Sequence, residues 1–334
     1  MTRDPDLTDR LRFRLPWSRA YLPLLLALIL LGIVLIQKEG TISAFQFKGI
    51  ANHALPLALV AIGETIVILV KGIDLSIAGV ISLASAVTVV VGETNGVLGV
   101  FAALAVGTAA GLINGLVVSY GKITPLIVTL ATGSIFGGLA LFVLPIPGGS
   151  APAWLRQATV GTIGDFPVAA IWLVVLTIGG WFVLNRTSFG VAIRCLGMSE
   201  ESSWSNGLPT RRVLLQSYSA GGFFAALAGV SLVGLTSSGD PNIGTPYLLT
   251  GIAAVVVGGT ELFNGVGTLA GTVFGAVVLS LVSTVLFSSG LPTDLQFVVN
   301  GLIVIGALAG HSVRRVRGRV RANRRDRPEG VVVR

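Results

Sequence analysis

The sequence predicts an all-α, polytopic integral membrane protein with about ten transmembrane helices. Three observations carry this. Only 11% of the 334 residues are charged and 53% are hydrophobic, with a mean hydropathy of +0.86, whereas a soluble domain is about 25% charged. Charge-free runs long enough to cross a bilayer recur along the chain, each close to the roughly 20 apolar residues a span needs. Finally, 18 of the 23 basic residues fall in three segments, 1–19, 186–212 and 312–334, beside such runs. Short basic segments are retained on the cytoplasmic side. Both termini and the 186–212 loop are therefore expected in the cytoplasm of a cell whose inner membrane the chain crosses.

Residues 1–19 form a basic N-terminal segment with five arginines. The run 20–37 that follows has no small-residue cleavage site and is succeeded by further spans, so it reads as an uncleaved first helix. The transmembrane domain is expected over 20–311, with helices near 20–37, 50–70, 76–92, 97–120, 125–145, 167–185, 213–235, 247–261, 266–287 and 294–311. Lys71 and Lys122 then fall on the cytoplasmic side, while the Pro- and Gly-rich stretch 146–166 and the turn 238–244 fall outside. Ten crossings return the arginine-rich tail 312–334 to the cytoplasm. Eight is the competing count, because 247–261 is short enough to be re-entrant and 71–79 reads equally as a helix break. No soluble domain presents the basic tail, so nucleic acid is not an expected partner.

Glycine recurs every four residues at Gly107, Gly111 and Gly115, and again at Gly267, Gly271 and Gly275. Such spacing gives one small-residue face on which helices approach closely. The two regions also echo each other. Val106-Gly-Thr-Ala-Ala-Gly111 matches Val266-Gly-Thr-Leu-Ala-Gly271 at five of six positions, on spans expected to cross in opposite directions. An inverted repeat produces this pattern; so does a bias toward Gly, Ala and Val.

Several chemistries are excluded. The single cysteine, Cys195, makes no internal disulfide, and His53 and His311 lie too far apart to form a local metal-ligand pair. Gly265-Val-Gly267-Thr-Leu-Ala270 spells a dinucleotide fingerprint without the βαβ unit it requires. Gly121-Lys122 is followed by Ile123 where a phosphate loop needs Ser or Thr. No catalytic dyad or triad is visible, so neither an enzyme nor a cofactor is expected.

Polar groups inside the spans are few. Glu64 lies mid-helix, where a charge costs roughly 2.5–3.5 kcal/mol on insertion scales and should face a protein or water-filled interior. Asp74 sits in Lys71-Gly-Ile-Asp-Leu-Ser76, where Gly72 loosens the helix and Ser76 can cap the next one. With Asn114 these residues are candidates for a translocation path; helix-helix hydrogen bonding is the competing reading.

Ordered motifs then carry a family resemblance. Gly72-Ile-Asp-Leu-Ser76, Asn114-Gly-Leu-Val-Val-Ser-Tyr-Gly-Lys-Ile-Thr-Pro-Leu-Ile-Val-Thr-Leu-Ala-Thr132, Thr187-Ser-Phe-Gly190, and Ile252-Ala-Ala-Val-Val-Val-Gly-Gly-Thr260 followed by Gly265-Val-Gly-Thr268 resemble the sugar-type permeases of bacterial ATP-binding cassette (ABC) importers, over roughly residues 45–310. The resemblance implies a permease subunit moving a ribose-like or other monosaccharide. It implies three kinds of partner: ABC ATPase subunits that bind the ATP, a second permease subunit (identical or paralogous), and an extracytoplasmic sugar-binding protein. A stand-alone secondary transporter of a small polar solute is the alternative.

One departure falls in the cytoplasmic loop, where the family commonly reads Gly-Gly-Asn followed by acidic residues and paired alanines. This chain has Gly197-Met-Ser-Glu-Glu-Ser-Ser203. Residues 199–208 nevertheless have the chemistry of a short coupling helix. Ser199 can cap its start, Glu200 and Glu201 suit the helix dipole in the first turn, and Gly207 can end it before Pro209. Trp204 is then an apolar contact for the ATPase.

Overall fold

The computed structural model describes residues 44–262 and 264–288, together with 298, 301 and 302. The expected spans 20–37 and 294–311, the N-terminal segment and the arginine-rich tail lie outside the described residues. Within them the other eight expected spans are all helices: α1 (Ala44–Leu69), α2 (Ile77–Gly92), α3 (Gly96–Gly121) and α4 (Pro125–Val143), then, after shorter elements, α6 (Val168–Arg186), α9 (Thr210–Thr236), α10 (Tyr247–Val257) and α11 (Leu269–Ser288). The stretch 146–166, expected as an irregular loop, contains α5 (Ala153–Val160) and a two-residue hairpin, β1 (Thr162–Ile163) against β2 (Phe166–Pro167). The 186–212 loop contains α7 (Ser188–Met198) and α8 (Glu200–Ser205).

Local chemistry sets the ends. Asn95 opens α3 by accepting hydrogen bonds from the backbone N–H of Val97 and Leu98, and Pro125 begins α4, where its missing N–H costs nothing. Among the described residues, six helices are long and apolar enough to cross a membrane. The other two expected spans are shorter. At 1.5 Å per residue α2 reaches about 24 Å and α10 about 17 Å, against a hydrocarbon core of about 30 Å. The short 247–261 segment is thus an 11-residue half-span.

Depth in the bundle separates the helices. The apolar window of α1 is 94% buried inside the chain, whereas those of α3, α4 and α6 are 28%, 22% and 17% buried. α1 is the central helix, and the other three turn apolar faces such as Leu130, Leu139 and Val175 outward. Packing follows the expected repeat. α3 packs on α9 as α11 packs on α1; α2 touches α3 and α9 as α10 touches α11 and α1. Exchanging α1 with α9, α2 with α10 and α3 with α11 therefore preserves the contacts, the relation an inverted repeat produces. The glycine ladders make these contacts. A Cβ at Gly111 would collide with the Tyr218 carbonyl on α9, and one at Gly275 with the Ala254 carbonyl on α10.

The two joints of the repeat match as well. Lys71 after α1 and Ser237 after α9 both take left-handed backbone, with φ of 61° and 62°. Three residues after each comes an aspartate, Asp74 or Asp240, whose Oδ1 accepts the N–H two residues further on, at 2.9 Å from Ser76 and 2.8 Å from Asn242. Gly148 and Gly239 exchange both backbone hydrogen bonds at 2.9 Å, so the 146–166 segment and the 238–239 turn share one face of the bundle. Beyond Gly239 the chain does not stay at that surface but descends beside α2. On this arrangement single cysteines at 150–165 should react with a membrane-impermeant maleimide in intact cells, and cysteines at 200–208 only after permeabilisation. Labelling of 200–208 in intact cells overturns the orientation.

Candidate functional site

The α1–α2 joint gathers the three polar residues read from the sequence. Leaving α1, the chain turns at Lys71 and Gly72, and a Cβ on Gly72 would come within 2.5 Å of the Tyr218 hydroxyl on α9. Asp74 is 2% exposed, and its Oδ1 accepts both the N–H of Ser76 (2.9 Å) and the hydroxyl of Ser76 (2.6 Å). Ser76 stands at the N-cap position of α2 but makes no capping bond: its backbone is already helical (φ −75°, ψ −14°), and its hydroxyl donates to Asp74 and accepts from Asn114. Asn114 of α3 donates through Nδ2 to Ser76 Oγ at 2.7 Å. A hydrogen-bonded chain therefore runs Asn114, Ser76, Asp74 across α3, the joint and α2. The first turn of α4 adds Thr129, whose hydroxyl donates to the Ile73 carbonyl at 3.1 Å.

Glu64 lies on α1 beside this chain, wholly buried. Neither of its oxygens closes a hydrogen bond among the described residues. The buried Tyr218 hydroxyl and Asn114 Oδ1 are likewise without partners. Lys71 turns away, its ammonium donating to the Met198 carbonyl at 3.2 Å. The structure thus brings Glu64, Asp74 and Asn114 into one enclosed cluster inside the bundle. Tyr218 and Ser76 complete it. Tyr218 carries no signal in the sequence, since nothing in the apolar run of α9 says which face meets the joint.

The 186–212 loop forms the second group. Thr187 caps α7 by accepting the Gly190 N–H at 3.2 Å, and Arg194 donates to Asn185 Oδ1 at 3.0 Å. Partial burial lowers the Arg194 pKa from its ordinary value. Gly197 packs directly on the Leu69 carbonyl and on Gly265, so α7 rests on the end of α1 and on the α10–α11 turn. Ser199 caps α8 by accepting the Ser202 N–H at 3.2 Å, with Glu200 and Glu201 in the first turn. Gly207 ends it with φ of 80°, and the Leu208 N–H reaches back to the Ser203 carbonyl at 3.0 Å. Trp204 is 72% exposed. It borders a surface groove of about 530 Å³ lined also by Tyr120, Arg211 and Arg212, with Arg211 stacked 5.0 Å over the Tyr120 ring. The short helix, its cap and its glycine end are as the sequence implies.

These features define a multi-pass helical membrane protein with a short helical projection over residues 188–205. The family profile described as branched-chain amino acid transport system / permease component matches residues 46–308. The chain belongs to this family of permease components. Among curated relatives it is similar to the ribose import permease protein of Bacillus subtilis, 33% identical over 291 residues that cover 86% of this chain and 90% of that protein. It is 30% identical to the ribose import permease protein of Escherichia coli K12 over 312 residues, 90% and 96% of the two chains. It is 32% identical to the fructose import permease protein of Rhizobium meliloti over 324 residues, 92% and 89% of the two chains. No solved structure matches the chain. The resemblance read from the motifs, to sugar-type importer permeases, agrees with these relatives.

The hydrogen-bonded joint yields a test. Ser76→Ala strands Asn114 Nδ2 in a buried site, at about 1–3 kcal/mol, and leaves Asp74 Oδ1 with the residue-76 N–H alone. Tyr218→Phe removes a hydroxyl that has no partner. In detergent, Ser76→Ala should unfold at clearly lower temperature than the parent, and Tyr218→Phe at the same or higher temperature. The reverse order would show that the Tyr218 hydroxyl, not Ser76, ties the joint.

Proposed function

We propose that this chain is the membrane-spanning subunit of an ABC importer that carries a monosaccharide across the bacterial inner membrane, with both termini cytoplasmic. The observation that carries the reading is the match over 86–92% of the chain to ribose and fructose import permeases. The partners follow from the family. ABC ATPase subunits bind and hydrolyse ATP, a second permease subunit, identical or paralogous, completes the path, and an extracytoplasmic binding protein delivers the sugar. The chain itself needs no cofactor.

In this reading the ATPase docks on α8, at Gly197, Ser199, Glu200, Glu201, Trp204 and Gly207. A helix of six residues is too short to stand alone in water, and here it leans on α7 and α9. Its exposed tryptophan and acidic first turn are available to a partner. The contacts behind it support transmission inward: Gly197 against Leu69, and Lys71 against the end of α7, lead to the joint that holds Asp74. We assign Glu64, Asp74 and Asn114 to the path on this basis. They are enclosed by their own chain, so they shape the path through the angle of the joint.

Co-expression with a neighbouring ATPase, purification of the complex and reconstitution into liposomes tests the function. Binding protein loaded with ribose, fructose or galactose should stimulate ATP hydrolysis and uptake; uptake driven by an ion gradient without the ATPase overturns the reading. Trp204→Ala and Glu201→Lys should insert normally while losing most sugar-stimulated hydrolysis. If both variants bind the ATPase and transport like the parent, the docking element lies elsewhere.

A further inference from the structure

The joint between α9 and α10 is the part of the molecule that neither the fold nor the docking reading uses. From Gly239 to Pro246 the backbone is irregular, yet it does not lie on the surface. A Cβ at Gly239 would meet Val89 near the outer end of α2, and one at Gly244 would collide with the Ala78 carbonyl near its inner end. At 1.5 Å per residue Ala78 lies about 20 Å below Gly92, and the polar turn Glu93-Thr94-Asn95 marks the outer end of α2. Gly244 and Thr245 are therefore at mid-membrane depth.

The backbone tolerates this depth because its donors are met one by one. The Gly239 N–H bonds the Gly148 carbonyl, Asp240 N–H the Ser85 hydroxyl, Asn242 N–H the Asp240 carboxylate and Gly244 N–H the Ser82 hydroxyl. Ile243, Thr245, Tyr247 and Leu248 bond to carbonyls of the same turns. Pro241 and Pro246 have no N–H to satisfy. Side chains divide by face. Pro241 and Gly244 are buried against the bundle, while Asn242, Thr245 and Pro246 are exposed. The Asn242 and Thr245 side chains have no hydrogen-bond partner among the described residues.

Irregular backbone at membrane depth is tolerated only where it is buried in protein or lines a water-filled cavity; facing lipid it does not occur. We infer that the exposed face of residues 240–246 lines the solute path at mid-membrane, with Asn242 and Thr245 offering hydrogen bonds to a polyhydroxylated solute. The class of solute rests on the importer reading above; the wetness of this face does not. An amide supplies both donors and acceptors and a hydroxyl supplies one of each, which suits the mixed donor-acceptor surface of a sugar. Ser82 and Ser85, one helical turn apart on α2, act as positioning residues that hold the segment at its depth.

The test is cysteine accessibility in the full chain, in proteoliposomes, with Cys195→Ser as background. Asn242→Cys and Thr245→Cys are compared with Leu139→Cys on the outward apolar face of α4. A charged methanethiosulfonate reagent needs a hydrated thiolate, so both joint cysteines should react at least about tenfold faster than the α4 control, since charge is excluded from lipid. In the reconstituted complex, ribose, fructose or galactose delivered by the binding protein should slow that reaction. Reaction as slow as at Leu139→Cys, at both positions, overturns the inference and leaves this face covered by protein. Fast reaction that none of the sugars slows keeps the water-lined path and overturns the sugar assignment; wild-type hydrolysis that no sugar stimulates overturns the importer reading separately. If one variant fails to insert, the other decides.

Discussion

The structure depends on one constraint: in the bilayer, every backbone polar group must be satisfied from within the chain. Continuous helices meet it automatically, and most of the chain is continuous helix. Among the described residues, the joints after α1 and after α9 both leave the helical ladder, and both are resolved by the same device. A left-handed residue turns the chain, and an aspartate three positions on takes up an amide that the helix has released. At the second joint two serine hydroxyls of α2 supply the remaining acceptors. Of the polar residues that look anomalous in an apolar sequence, Asp74 serves this purpose directly by accepting the Ser76 N–H, and Asn114 only through Ser76 Oγ; Glu64 bonds no amide among the described residues.

Close packing is the second requirement. Lipid gives no hydrophobic drive for one helix to prefer another, so association rests on short-range contact and interhelical hydrogen bonds. The ladder Gly107, Gly111, Gly115 lets α3 lie directly on the α9 backbone, and Gly271 and Gly275 do the same for α11 on α10. Thr65 on α1 adds a hydroxyl pair with Thr272 on α11 at 2.7 Å. These contacts tie the two halves around α1, which has little surface left for solvent or lipid.

Helix α7 is in direct contact with the joint after α1. Gly197 of α7 touches both the end of α1 and Gly265 of the α10–α11 turn, so a displacement of α7 is felt in both halves of the repeat at once. Gly265 itself takes left-handed backbone, with φ of 61°, at this contact. A bulkier residue at either glycine would separate α7 from the bundle and interrupt the connection.

Much of this was legible in the sequence. The membrane class, eight of the helices, and the cap and glycine end of α8 follow from local rules: run length, capping chemistry and spacing. Glu64, Asp74 and Asn114 stood out because charge and amide are rare in apolar runs. Tertiary structure decided the rest. That Ser76 bonds Asp74 instead of capping α2, that Tyr218 of α9 closes the same cluster, and that Ser82 and Ser85 hold a segment some 160 residues away are contacts between distant elements. The turn 238–244 reads in sequence as a surface loop because Pro, Gly and Asp mark loops at any depth. Only the packing of Gly244 on Ala78 shows that the chain runs inward beside α2. Sequence fixes what each segment can satisfy by itself, and the fold decides which neighbour satisfies the remainder.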